Sequence, residues 1–162
     1  MLLFKNVLFT VLVPGTFSLY VPYRILIASG QLHRSGIGSV RYVGLVPILF
    51  GGAIYLSSVW RLAHLGRGTP APIDPPKTLV VSGAYRVTRN PMYVAVLRVI
   101  LGQSALFASG WLLVYGLVFL AASYAFVLLY EEPTLRRKFG SSYEAYCATV
   151  PRWLFMRKAR RD

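Results

Sequence analysis

The stretch WLLVYGLVFLAASYAFVLLY, Trp111 to Tyr130, decides the fold class, because its twenty residues include no charged side chain. A helix needs about 20 mainly apolar residues to cross the hydrocarbon core of a bilayer. A soluble domain needs neither such a run nor a chain that is 56% hydrophobic and only 14% charged. The stretch therefore predicts a membrane-spanning helix.

Three further apolar stretches precede this one. They run from Val7 to Ile27, from Val43 to Trp60 and from Tyr93 to Ala108. Only Ser109 and Gly110 separate the third stretch from the fourth, so these two helices are predicted to form a tight antiparallel hairpin. We therefore expect an all-α, polytopic membrane protein with about four transmembrane helices in one domain.

The positions of the basic residues predict how the chain is oriented. The hairpin places the proline-rich loop from Arg61 to Asn90 on the same side as the tail from Glu131 to Asp162, which holds eight Lys and Arg residues. Fourteen of the eighteen basic residues then lie on one side, three on the other and one, Arg98, within a span. By the positive-inside rule the richer side is cytoplasmic, and both termini lie there.

Composition also limits the classes of partner and site. Basic residues that flank apolar spans serve as orientation signals and contact anionic lipid, so the formal charge of +13 does not call for nucleic acid. Cys147 is the one cysteine and there are only two histidines, too few for a disulfide or a structural zinc site. We expect neither a metal nor a nucleic-acid partner.

The segment GAYRVTRNPMY, Gly83 to Tyr93, marks the start of the third helix, with Asn90 as N-cap and Pro91 at the first helical position. A helix N-terminus beside an arginine-rich loop favours a carboxylate or another anionic group of a ligand. Taken alone, the segment is explained more simply as a well-capped membrane helix.

The pair Glu131 and Glu132 follows the fourth apolar stretch, where the dipole at a helix C-terminus disfavours negative charge. Either the pair forms salt bridges to Arg86, Arg89 or Arg152, or it receives the amino group, ribose hydroxyls or sulfonium region of a cationic cofactor. Because the hairpin brings this end close to the start of the third helix, both alternatives predict one pocket.

A short amphipathic helix is predicted in the tail. Ser141 and Glu144 have the spacing of a capping box, and Pro151 ends the helix. Its apolar face has helical spacing and comprises Tyr143, Tyr146, Cys147 and Val150. We expect this helix to lie along the membrane surface or to cap the bundle.

Residues 79–153 carry a family resemblance. LVVSGAYRVTRNPMYVAVL, a helical hairpin and EEPTLRRKFGSSYEAYCATVPRW follow one another at plausible spacing. Together they resemble the C-terminal half of the isoprenylcysteine carboxyl methyltransferase family, with its prokaryotic members and phospholipid methyltransferase relatives. The ordered combination of GxYRxxRxPxY, the EE pair and FGxxYxxYxxxVPR is far more specific than any one piece.

The resemblance implies an S-adenosylmethionine-dependent methyltransferase in a bacterial or archaeal cell (inner) membrane, with a lipophilic acceptor entering from the bilayer. Within the single integral membrane domain, 1–162, we expect two N-terminal spans in 1–63, a methyltransferase-like core with the cofactor pocket in 64–153 and a basic tail in 154–162. Asn90 stands where histidine is commoner and Ala95 where glycine is common, although an amide can still form a hydrogen bond to a cofactor. The cofactor-binding residues that it implies are Tyr85, Arg89, Asn90, Pro91, Tyr93, Glu131, Glu132, Tyr143 and Tyr146.

The candidates for catalysis are Arg98, Arg152 and Glu131. Arg98 lies about 12 Å beyond Asn90 in the third helix, and an intramembrane arginine is a functional candidate by default. Its guanidinium binds an acidic head group in one interpretation. In the other, the side chain extends to the cytoplasmic interface or pairs with a carboxylate of another helix. A carboxylate acceptor would need only a cation such as Arg152 or Arg98, whereas an amine would lose a proton to Glu131 or Glu132.

Three alternatives to this function stay open. The first is a phospholipid N-methyltransferase, the second a membrane reductase of the sterol type that uses NADPH, and the third a non-enzymatic membrane interaction protein. The chain has no GxGxxG fingerprint, although membrane reductases need not use one. The sequence predicts neither the methyl acceptor nor the oligomeric state.

Overall fold

A computed structural model describes residues 12–32, 38–66 and 77–153. Within these ranges every regular element is helical, which confirms the all-α class. Two π-helical turns, Thr16–Tyr20 and Val127–Glu131, and two 3-10 turns, Ser39–Gly44 and Gly83–Arg86, accompany the α-helices. In chain order the α-helices are α1 (Val21–Ala28), α2 (Leu45–His64), α3 (Pro91–Leu106), α4 (Gly110–Phe126), α5 (Glu132–Phe139) and α6 (Ser141–Thr149).

Two helical segments are long and apolar enough to cross a membrane. They are Ser39–His64, of 26 residues, and Gly110–Phe139, of 30 residues. Leu49 in the first and Leu129 in the second are 71% and 76% exposed, as expected where the surroundings are apolar. The third predicted span corresponds to the apolar helix α3, whose 16 residues are too few to be counted with these two. The described part of the first predicted span, from residue 12, is not counted with them either, and residues 7–11 lie outside the described ranges.

Small residues bring α2 and α3 into close contact. A Cβ on Gly102 would lie 2.6 Å from the carbonyl oxygen of Gly44, and one on Gly51 would lie 2.7 Å from that of Ala95. Ala95 and Ile100 have no exposed surface. Close backbone approach through small residues is the usual way in which helices pack in a membrane, and here it makes α3 the central helix.

The predicted hairpin between α3 and α4 is confirmed. Residues 107–109 connect the two helices, and Ala108 adopts a positive φ of 45°. The Ser109 side chain accepts a hydrogen bond from the backbone N–H of Leu112, which caps α4. The start of α3 therefore lies at the same end as the far end of α4.

The fourth helix does not end at Glu131, as the sequence analysis assumed. It continues through the π-helical turn Val127–Glu131 into α5. Within that turn the N–H of Glu132 donates to the carbonyl of Val127, five residues earlier, and Pro133 follows directly. We attribute the turn to this proline, which has no N–H and clashes with a regular preceding turn. The two glutamates consequently do not stand at a helix C-terminus, so the argument from the dipole was wrong.

Helix α6 buries the face that its sequence predicts. Tyr143 is 1% exposed, and with Tyr146, Cys147 and Val150 it packs against Leu79, Leu135 and Phe139. The predicted capping box is wrong, because α6 has no side-chain cap and Glu144 pairs with Arg136 instead. Gly140, with a φ of 53°, makes the sharp turn that places α6 against α5 and the loop before α3.

Candidate functional site

The segment before α3 lies against the residues that follow α6. The backbone N–H of Arg89 donates to the carbonyl of Pro151 over 3.0 Å, and the Thr88 hydroxyl donates to the carbonyl of Arg152 over 2.9 Å. These bonds join parts of the chain that are about sixty residues apart in sequence. They bring the GAYRVTRNPMY segment and the VPRW segment into one buried cluster.

Asn90 occupies the N-cap position of α3 but does not cap the helix with its side chain. Its Nδ2 donates to the carbonyl oxygen of Arg152 over 3.0 Å, and its backbone N–H donates to the Thr88 hydroxyl. The residue is 5% exposed, and Pro91 beside it is also buried. The predicted side-chain cap is therefore wrong, because the amide is used to hold the C-terminal segment.

Glu132 is the centre of a buried ion-pair network. Arg152 donates to it through Nε over 2.6 Å and through Nη2 over 2.9 Å, and Arg89 donates through Nη1 over 2.9 Å. Glu132 is only 4% exposed. The hydrogen bond to the Glu132 carboxylate raises the pKa of Arg152 above its ordinary value. The salt-bridge alternative is thus observed for Glu132 with Arg89 and Arg152, whereas Arg86 is exposed.

Glu131 has different surroundings from its neighbour. Its Oε2 accepts a hydrogen bond from the Tyr93 hydroxyl over 2.9 Å. No arginine or lysine within the described ranges forms an ion pair with it. Glu131 therefore has a carboxyl group that pairs with no cation of the described chain.

Three buried tyrosines line the side of the cluster formed by α6 and the turn before α3. The Tyr146 hydroxyl donates to the Tyr85 carbonyl over 2.6 Å. Burial raises the pKa of Tyr85, Tyr143 and Tyr146 above the usual value for a phenol. All three therefore stay protonated at neutral pH and are hydrogen-bond donors or neutral packing groups.

Among residues 12–32, 38–66 and 77–153, two buried N–H donors have no hydrogen-bond partner: Arg89 Nε and Trp153 Nε1. The Nη1 of the same arginine contacts Cys147 Sγ at 2.8 Å as well as Glu132. Trp153 stacks against Tyr124, with ring centroids 6.3 Å apart, and meets the edge of Tyr93. Buried donors without partners are rare in folded proteins, so each of these two N–H groups needs an acceptor that the described residues do not supply.

The structure does not bring Arg98 into this cluster. A Cβ placed on Gly51 of α2 would lie 3.3 Å from Arg98 Cβ, so the arginine leaves α3 on the side that faces α2. Within residues 12–32, 38–66 and 77–153 it forms no ion pair. Hydrogen bonds and packing instead connect the other predicted site residues near the start of α3: Arg89, Asn90, Pro91, Tyr93, Glu131, Glu132, Tyr143, Tyr146 and Arg152. Tyr85 adjoins them because its carbonyl accepts from Tyr146, while its side chain packs against Leu62 of α2.

The sequence analysis missed Thr88, Tyr124 and Trp153. Thr88 and Trp153 adjoin predicted motif residues but have no signature of their own, and Tyr124 lies in the middle of the apolar stretch. Cys147 was assigned to the apolar face of α6 and not to the site, although it contacts Arg89. Only the spatial contact with the α3 start identifies these residues.

Comparison with known proteins gives one match. The sequence model of the family described as phospholipid methyltransferase matches residues 40–142, which is more than half of the chain. The matched region runs from the turn before α2 to the start of α6 and includes Arg89, Tyr93, Glu131 and Glu132. No curated protein and no solved structure matches the chain. The match confirms the resemblance of the paired motifs, and the chain belongs to the phospholipid methyltransferase family.

Proposed function

We propose that this chain is an S-adenosylmethionine-dependent methyltransferase that modifies a lipophilic acceptor at the cytoplasmic face of a membrane. Membership of a methyltransferase family that acts on lipid-like substrates supports the reaction class. The single observation that carries the rest is the difference between the two adjacent glutamates. Glu132 is neutralised by two arginines, whereas the one side-chain partner of Glu131 in the described part of the chain is the Tyr93 hydroxyl.

The residues of the cluster fit a zwitterionic ligand that also carries a positive sulfur. The unneutralised carboxylate of Glu131 suits an ammonium or sulfonium group, and charge-assisted hydrogen bonds of this type are the strong ones. The unpartnered N–H groups of Arg89 and Trp153 suit oxygen acceptors of the same ligand. This set of groups supports S-adenosylmethionine as the ligand, and we propose that its cationic part binds at Glu131.

When bound, S-adenosylmethionine supplies an electrophilic methyl group on a positively charged sulfur. The chain has to align donor and acceptor and to exclude water, since the displacement needs neither a metal nor a covalent intermediate. In this proposal Glu132 fixes Arg89 and Arg152 in place, because it accepts hydrogen bonds from both. Arg152 is then a positioning residue, which keeps the segment after α6 against Glu132.

The role of Glu131 in proton transfer depends on the acceptor. An amine acceptor has to lose a proton, and Glu131 is the carboxylate of the pair that no arginine neutralises. A carboxylate acceptor needs no base and only a cation beside it, and the cations of the cluster are Arg89 and Arg152. For Arg98, on the side of α3 that faces α2, we propose contact with an acidic head group of the acceptor that lies away from the reacting atoms. An isoprenylcysteine-like carboxylate and a lipid amine are both compatible with the cluster, so the acceptor is left open between them.

We extend the proposal to membrane topology. Four spans are proposed, with both termini and the loop that contains Lys77 on the cytoplasmic side, since fourteen of the eighteen basic residues then lie inside. Helix α3, with 16 residues, is about 24 Å long at 1.5 Å per residue and shorter than the hydrocarbon core. Its central position, with α2 and α4 packed against it, shields it from much of the lipid.

Equilibrium binding to the purified protein in detergent tests the proposal against its rivals. We expect S-adenosylmethionine to bind and NADPH not to compete, and Glu131→Gln to weaken binding by roughly ten- to a hundredfold, as for the loss of a charge-assisted hydrogen bond. Binding of NADPH alone would favour a membrane reductase. Binding of S-adenosylmethionine without turnover on any lipid would favour a non-enzymatic protein.

A further inference from the structure

An open groove lies at the end of α2, apart from the Glu131 and Glu132 cluster. Its described lining comprises Ser57, Trp60, Arg61, His64 and Leu65. The Trp60 ring stacks on the His64 ring with centroids 3.8 Å apart and is 62% exposed. The described lining thus has two groups that can carry positive charge and no carboxylate.

Three carbonyl groups at this helix end accept hydrogen bonds from other parts of the chain. The Trp60 carbonyl oxygen accepts from His64 Nδ1, the Arg61 carbonyl accepts from the N–H of Leu65, and the Leu65 carbonyl accepts from the Thr78 hydroxyl. A helix C-terminus normally repels anions through its free carbonyl groups. Because these three carbonyls have donors they repel an anion less, and Arg61 and His64 are the lining groups that can attract one.

The loop before α3 holds Arg61 in place. Its Nη1 donates to the Ser82 hydroxyl over 3.3 Å, and its guanidinium lies directly against Gly83, where any Cβ would collide with Nε. Gly83 also has a φ of +59°, which favours glycine. Most of the Arg61 guanidinium N–H groups have no partner in the described ranges. The guanidinium is held in position, so these N–H groups can donate hydrogen bonds to a ligand.

We propose that this groove binds the phosphate of a membrane phospholipid through Arg61 and through the Nε2–H of a protonated His64, since Nδ1 of His64 already donates to the Trp60 carbonyl. Arginine recognises phosphate through its planar fork of N–H groups, and tryptophan favours the interface between lipid and water. Leu56, one turn before Trp60 in α2, is 65% exposed and continues the apolar surface away from the cationic groups, as an acyl chain requires. The inference rests on the proposed membrane placement of Ser39–His64, and it does not depend on S-adenosylmethionine.

The test uses the full chain, delipidated in detergent and without S-adenosylmethionine. Dihexanoyl phosphatidylglycerol is titrated by calorimetry, beside dihexanoylglycerol, which has the same chains without phosphate, and inorganic phosphate. We expect the phospholipid to bind most tightly. Arg61→Gln should weaken its binding roughly ten- to a hundredfold and His64→Gln roughly two- to tenfold, as for the loss of a charged and an ordinary hydrogen bond.

Arg137→Gln is the matched control, since Arg137 is an exposed arginine whose one described contact is a 3.5 Å hydrogen bond to Thr134. It should leave the affinity unchanged. His64 is exposed, so its variant folds even if Arg61→Gln lowers the melting temperature. Equal affinity for phospholipid and dihexanoylglycerol, equally tight binding of inorganic phosphate, or unchanged affinity in both groove variants would overturn the proposal. None of these results would affect S-adenosylmethionine binding at Glu131, so failure here is distinguishable from failure of the proposed function.

Discussion

Glu132→Gln should lower the free energy of unfolding of the protein far more than Glu131→Gln. Glu132 accepts hydrogen bonds from Arg152 Nε, Arg152 Nη2 and Arg89 Nη1. Breaking a buried pair by removing one partner costs about 3 to 5 kcal/mol, because the remaining charge stays buried. The lower end, about 3 kcal/mol, applies because the Arg152 side chain is 21% exposed and can take up water.

Melting curves in detergent give the measurement. At roughly 2 to 4 °C per kcal/mol for a chain of this size, Glu132→Gln should lower the melting temperature by about 6 to 12 °C. Glu131→Gln should cost less than about 1 kcal/mol, because the amide oxygen still accepts from Tyr93. Glu144→Gln is the control, since its pair with Arg136 is exposed and such pairs contribute at most about 1 kcal/mol. Equal melting temperatures for the Glu132 and Glu144 variants would refute the assignment of Glu132 as a buried structural centre.

Further predictions concern the helix contact, the tether and the proposed acceptor site. Gly102→Val should destabilise the protein by about 1 to 3 kcal/mol in a detergent melt, as for overpacking, whereas Gly52→Ala, which meets open space, should not. Asn90→Ala should cost about 1 to 3 kcal/mol through the lost bond to the Arg152 carbonyl, and unchanged stability would show that this tether is not needed. Arg98→Leu should reduce acceptor use and leave the calorimetric affinity for S-adenosylmethionine nearly intact, while loss of that affinity in folded protein would assign Arg98 to the donor site. A cysteine introduced at Lys77 should be labelled only after the membrane is opened, and labelling from outside intact cells would reverse the topology.

The features that depend on local pattern could be predicted from the sequence. The hairpin follows from a two-residue polar gap between apolar runs, and the buried face of α6 follows from the spacing of Tyr143, Tyr146, Cys147 and Val150. Both depend only on residues that are close in sequence. The number of spans is harder to predict, because α3 is apolar but shorter than a typical span.

The features that depend on long-range contacts could not be predicted. Adjacent residues on a helix point about 100° apart, so Glu131 and Glu132 face different neighbours, but the sequence does not show which one faces Arg152. The continuation of α4 into α5 was missed because Pro133 was taken as part of a tail, whereas a π-helical turn accommodates it. The hydrogen bond that the Asn90 amide donates to the Arg152 carbonyl, 62 residues away in sequence, likewise has no local signature.

Transfer of a labelled methyl group tests the central claim most directly. Purified protein is incubated with S-adenosylmethionine labelled in its methyl group and with a membrane lipid extract, and the lipid fraction is separated and identified. We expect label in one lipophilic product, at a rate that falls at least tenfold in Glu131→Gln at subsaturating S-adenosylmethionine, because cofactor binding is weakened. No label above heat-inactivated protein, or an equal rate in folded Glu131→Gln, would contradict the account.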